Sequence, residues 1–134
     1  MIKSLIITHG GLGKELIKVC EKIFNKNIDI ECICFNWEED GTIAINKVEN
    51  FIEKNKGNKI MIFTDMFGGS PSNICFEFVD KNIEVITGIN LPGLLKFLTY
   101  REKNMDFKKL AKIVKKGAIE GVNIIGEYLG EKND

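Results

Sequence analysis

Apolar runs of strand length alternate along this chain with segments whose apolar residues recur every three or four positions, and this alternation limits the folds open to it. Residues 2–8, 30–35, 59–64 and 83–87 are rich in Ile, Val, Leu and Phe, as strands buried on both faces must be. Between them run stripes of helical period: Leu16, Cys20, Ile23 and Phe24, then Ala44, Val48, Phe51 and Ile52, then Ile74, Cys75, Phe78 and Val79. Strand–helix alternation of this kind predicts an α/β fold, a three-layer α/β/α arrangement around a mainly parallel sheet. With right-handed crossovers and one reversal of winding, the expected strand order is 2-1-3-4.

Helix ends carry their own signals. Ser70-Pro71 is expected to be an N-cap followed by proline at the first helical position, where its missing N–H costs nothing. Pro92 should open a fourth helix bearing Leu94, Leu95 and Leu98. Asp106 should cap a final helix with Leu110, Ile113, Val114 and Val122 turned inward. Gly117 and Gly121 fall on one face of it, which points to close backbone packing rather than chemistry. No repeat or linker interrupts the 134 residues, so one domain over 1–130 is expected, with a charged, disordered tail at 131–134.

Charge and composition exclude several classes. Lys plus Arg number 19, as do Asp plus Glu, and Lys108, Lys109, Lys112, Lys115 and Lys116 fall on what should be the outer face of the last helix, so nucleic-acid binding is not expected. The apolar run at 5–7 is too short for a signal sequence or a membrane span, which implies a cytoplasmic protein. Cys20, Cys32, Cys34 and Cys75 lack C-x-x-C spacing and share the chain with a single histidine. They are expected to be small buried hydrophobes, with no metal and no cofactor.

In an open parallel sheet, ligands bind beyond the carboxyl ends of the strands where the winding reverses. The order 2-1-3-4 brings two loops together there. One, Thr8-His9-Gly10-Gly11-Leu12-Gly13, sets the only histidine at a strand end, before glycines that let a bulky anion approach. The other, beginning Thr64-Asp65-Met66 and closing Gly68-Gly69-Ser70-Pro71, offers a carboxylate, two glycines and a helix start whose N–H groups favour negative charge. The pair suits phosphoryl transfer onto imidazole. One ring nitrogen attacks while Asp65 accepts a hydrogen bond from the other, and amides around Met66 to Ser70, with the Ser70 hydroxyl, neutralise the equatorial oxygens. No metal is required. The Gly11 and Gly13 spacing lacks the full dinucleotide fingerprint. Trp37, Glu38, Glu39 and Asp40 are expected to form a solvated loop before the second helix, the alternative being a binding rim near the second strand.

At these residues the chain resembles the IIA component of the mannose-family sugar phosphotransferase system. The resemblance rests on Ile7-Thr8-His9-Gly10, on Thr64-Asp65 followed by Phe67-Gly68-Gly69-Ser70-Pro71-Ser72-Asn73, and on Gly88-Ile89-Asn90-Leu91-Pro92. It implies that His9 receives a phosphoryl group from the carrier HPr and passes it to a histidine of a separate IIB protein serving a IIC/IID membrane permease. It implies that Asp65 orients the ring, and that Met66, through its amide, Gly69 and Ser70 bind phosphate. It further implies a homodimer, in which a C-terminal strand drawn from residues 100–105 onward can be exchanged between subunits. The alternatives are a dihydroxyacetone-kinase-type phosphocarrier, which usually lacks the Asp-x-x-Gly-Gly-Ser-Pro block, a non-catalytic regulatory module of the same shape, and a flavin- or nucleotide-binding domain of flavodoxin-like shape.

Overall fold

A computed structural model describes residues 2–66 and 68–130; Phe67 of the second motif block and the 131–134 tail lie outside the described residues. Among the described residues four strands, β1 (Ile2–His9), β2 (Glu31–Phe35), β3 (Lys59–Thr64) and β4 (Ile83–Ile86), form one sheet in the order β2-β1-β3-β4, every pair parallel. The helices are α1 (Leu12–Phe24), α2 (Gly41–Lys54), α3 (Ser70–Cys75, continued by a 3₁₀ turn at Phe76–Phe78), α4 (Leu91–Tyr100), α5 (Phe107–Glu120) and α6 (Ile125–Gly130). Fold class and strand order are those expected from the alternation.

Successive side chains of a strand point to opposite faces, and the central strands therefore feed two cores. Ile6, Met61 and Phe63 point to one face, where Cys20 of α1, Leu94 and Phe97 of α4, and Phe107, Leu110 and Val114 of α5 cover them. Leu5, Ile7, Ile60 and Ile62 point to the other, beneath Ala44, Val48 and Phe51 of α2 and Cys75 at the end of α3. A continuous apolar strand is the only pattern that satisfies both layers at once.

Several local expectations need correction. Ile23 is exposed, because α1 buries the face centred on Gly13 and Cys20 and Ile23 lies past its rim. Val79 follows the 3₁₀ turn in extended backbone and is exposed. Val122 lies beyond the end of α5, which stops at Glu120 with Gly121 as its cap, and α6 has no counterpart in the sequence pattern. Ser70 is the first helical residue and Gly69 occupies the cap position, which moves Pro71 one place inward, still where an amide would lack an intrahelical partner. Residues 101–106 form a turn and coil leading into α5, so among the described residues no C-terminal strand joins the sheet. Cys20 and Cys75 are buried as expected, and burial pushes the Cys75 thiol up to about 12. Cys32 and Cys34 are only half-buried, because β2 is an edge of the sheet; burial, then its neighbour Cys34, still holds Cys32 at about 12.

The third motif block is a structural joint. Asn90 caps α4 by accepting from the Gly93 N–H at 2.9 Å, while its amide nitrogen donates to the Ala118 carbonyl of α5 at 2.9 Å. Close packing of α4 on α5 explains the glycines: a Cβ at Gly117 would lie 2.3 Å from Lys96 Cγ, and one at Gly121 would lie 2.4 Å from Pro92 Cγ. Asp106 caps α5 through the Lys109 N–H at 3.0 Å, as expected. Phe97, fully buried, meets Phe63 edge-on at 5.0 Å between ring centres. Phe97→Ala is expected to lower the free energy of unfolding by about 3–5 kcal/mol in urea titration, the usual cost of emptying a core aromatic site.

Candidate functional site

The site is assembled where β1 and β3 leave the sheet. Ile7 pairs with Thr64, so the residues that follow each, Thr8-His9 and Asp65, emerge side by side at the carboxyl end of the two central strands. Thr8, fully buried, turns its hydroxyl oxygen to accept the Gly13 N–H at 2.8 Å, which satisfies an otherwise unpaired amide in the first turn of α1. The Gly10 N–H donates to the Phe35 carbonyl at 2.8 Å, and Gly10 itself takes the left-handed conformation at φ 52° that glycine adopts without strain. The chain thus turns sharply after His9 and leaves the imidazole at the rim.

One carboxylate oxygen of Asp65 accepts two hydrogen bonds from His9. The backbone N–H donates to Oδ2 at 2.9 Å, and ring Nδ1 lies 2.8 Å from the same oxygen. The side chains are 21% and 10% exposed, so the pair is sheltered without being sealed. With Asp65 ionised it can only accept. Nδ1 therefore carries a proton, and in the neutral ring the lone pair sits on Nε2, the other nitrogen.

The second loop closes on the same ring. A Cβ at Gly69 would stand 2.9 Å from His9 Cε1 and 3.5 Å from Nε2, so only glycine permits this approach of backbone to imidazole. Gly68 takes φ 84°, and the Gly69 carbonyl accepts the Asn73 N–H at 2.9 Å as the first turn of α3. Ser70 and the side chain of Met66 are exposed beside it. His9, Asp65, Met66, Gly69 and Ser70, anticipated from two stretches far apart in sequence, are brought to one end of the sheet.

Trp37 was not among the expected site residues. It lies past the end of β2, and its ring stacks on the His9 imidazole at 5.4 Å between centres and 24° between planes, with Phe35 edge-on at 6.1 Å. The signal was available in the strand order: β2 flanks β1, with Phe35 in register with His9, so a side chain just beyond Phe35 falls beside the histidine. Gly13 likewise serves packing, since a Cβ there would meet Ile6 Cγ2 at 2.7 Å and Cys32 Sγ at 2.9 Å.

Comparison with known proteins places this geometry in a family. The profile of the family described as "PTS system fructose IIA component" (EIIA-man) matches residues 3–115, and the chain belongs to that family. It is 31% identical over 127 residues to the PTS system mannose-specific EIIAB component of Escherichia coli K12, covering 92% of this chain and 39% of that protein. The chain thus spans well under half the length of that relative. It is 25% identical over 133 residues to the PTS system fructose-specific EIIA component of Bacillus subtilis, covering 96% of this chain and 90% of the other. In fold it matches the crystal structure of the phosphotransferase system component EIIA from Streptococcus agalactiae with a TM-score of 0.84 at 24% identity, over 95% of this chain and 99% of that one. Among the described residues no helix is long and apolar enough to cross a membrane.

If Asp65 sets the tautomer, nitrogen-detected NMR of this single-histidine protein should show the neutral ring protonated at Nδ1. The Asp65→Ala variant should revert to a mixture with Nε2 protonated. An unchanged tautomer would mean that the contact does not orient the ring.

Proposed function

We propose that this chain is a phosphocarrier of a phosphoenolpyruvate-dependent sugar phosphotransferase system, with His9 as the residue that holds the phosphoryl group. The observation that carries this is the 2.8 Å contact of Nδ1 with Asp65 Oδ2, which leaves Nε2 as the nucleophilic nitrogen. Family membership supports the same chemistry.

In the forward step the Nε2 lone pair attacks phosphorus of the phosphorylated donor, which we take to be HPr. The bond from phosphorus to the donor atom breaks, and its electron pair stays on the donor. The imidazole, still protonated on Nδ1, becomes positively charged, and the Asp65 carboxylate faces that charge at hydrogen-bond distance. In the second step a histidine of a IIB protein attacks the same phosphorus, and the electron pair of the breaking bond returns to Nε2. Asp65 keeps its role throughout, since no proton need leave Nδ1.

Phosphoryl transfer needs charge-stabilising groups around the equatorial oxygens more than covalent help. The amides of Met66 and Gly69 and the amide and hydroxyl of Ser70 are the groups assigned to it, and the proximity of Gly69 to Nε2 supports them. Only the Met66 amide is given a role, because its thioether is a weak acceptor and donates nothing. We further propose that residues 1–130 act as one cytoplasmic unit, that the protein works as a homodimer, and that its phosphoryl group reaches a sugar through a IIC/IID permease.

Incubation with phosphoenolpyruvate, Enzyme I and HPr should place an acid-labile label on His9 alone. His9→Ala should abolish it. Asp65→Ala should slow labelling by about ten- to a hundredfold, the size of a lost hydrogen bond to a charged group. Label on any other residue, or none on the wild-type protein, would overturn the assignment.

A further inference from the structure

The loop that carries Trp37 is built to hold that ring in place. Its turn is tied twice: the Asn36 side-chain oxygen accepts the Glu38 N–H at 3.1 Å, and the Asn36 carbonyl accepts the Glu39 N–H at 3.0 Å. Asparagine at the head of such a turn supplies the side-chain acceptor that mimics a backbone turn. The far end is pinned by Asp40, whose carboxylate accepts the Thr42 N–H at 3.1 Å and caps α2. The near end is β2, joined to the turn after His9 by the bond from Gly10 to the Phe35 carbonyl. Trp37 is 71% exposed, so core burial is not what fixes its position. What its ring meets is the imidazole, nearly parallel at 5.4 Å, and the glycine after it, where a Cβ would come to 3.5 Å from the indole.

Resting on the phosphohistidine role proposed for His9, we infer that Trp37 is a positioning residue that stabilises the charged, phosphorylated imidazole through the face of its indole. The neutral ring gains little from this stack. Once Nε2 is bonded to phosphorus and Nδ1 keeps its proton, the ring is cationic, and the negative face of an indole is the best side-chain partner for a cation. The edge of the imidazole is held by Asp65 and its face by Trp37, so the two contacts constrain different motions. The electrostatic consequence has a direction. In loss of the phosphoryl group to water, a water oxygen bonds to phosphorus and releases a proton to solvent while the P–N bond breaks, its electron pair returns to Nε2 and the positive charge leaves the ring. A partner that favours the charged ring therefore slows that loss and lengthens the life of the carrier between donor and acceptor.

The test compares wild type, Trp37→Leu and Trp37→Phe, each phosphorylated through phosphoenolpyruvate, Enzyme I and HPr and then purified from the carriers. Trp37→Leu should lose label about two- to fivefold faster than wild type, the range of an exposed cation–π contact. Trp37→Phe should recover most of the lifetime, which a merely space-filling role would not distinguish from leucine. Because Trp37 is the only tryptophan of the chain, its emission should change on phosphorylation of the wild-type protein and stay constant in His9→Ala treated identically. Label that persists equally in Trp37→Leu and wild type, or emission indifferent to the phosphoryl group, would overturn the role of Trp37 while leaving His9 as the acceptor. Failure of wild-type His9 to take label would overturn both.

Discussion

Asp65 Oδ2 is the point on which the site turns. A single oxygen accepts from the backbone and from the ring of the same residue, at 2.9 and 2.8 Å. The first bond fastens the end of β1 to the end of β3, and the second fixes how the imidazole faces outward from that junction. Neither would form if the strands were not neighbours, and the strands are neighbours because Leu5, Ile6 and Ile7 pack into both cores beside Ile60 to Phe63. The hydrophobic layers thus place the electrostatic pair. The pair in turn decides which nitrogen is available for chemistry.

Around that pair the loops divide their duties. Thr8 and Gly13 lock the start of α1 against the sheet, with the hydroxyl at 2.8 Å from the amide and no room for a Cβ at Gly13. Gly69 brings backbone to the ring itself, where a side chain would intrude at 2.9 Å. Asn90 fastens the distant α4–α5 layer, so that the third motif block contributes rigidity and not reactivity. On the phosphocarrier role proposed for His9, the ring has to be held in place yet stay accessible, and a ring hydrogen-bonded to Asp65 and 21% exposed meets both demands.

Much of this is legible in the sequence alone. Continuous apolar strands set between helical stripes can only be buried under helices on both faces, which gives the layer order, while the 2-1-3-4 winding follows only when right-handed crossovers and one reversal are added. His9 and Asp65 could be paired because strand order alone brings their loops together. The ends of elements were less legible. Ile23, Val79 and Val122 are apolar residues that fit a helical period yet are exposed, since periodicity locates a face without saying how wide its cover is or where the helix stops. The turn at 101–106 and the exposed helix α6 were beyond the pattern for the same reason.

The amino-acid order thus dictates the alternation of layers, the histidine at one strand end, the carboxylate at another, and the glycines that must follow each. Distance and orientation come only with the folded chain: both bonds go to one carboxylate oxygen, Gly69 abuts the ring, and the Trp37 ring stacks on it with 5.4 Å between centres and 24° between planes. The physical reason is that hydrophobic patterning is a one-dimensional signal, blind to angle. A stack of two rings depends on the register of two strands, on the turn at Asn36 and on the left-handed glycine after His9 acting together, and no one of these is visible as geometry until the chain has closed on itself.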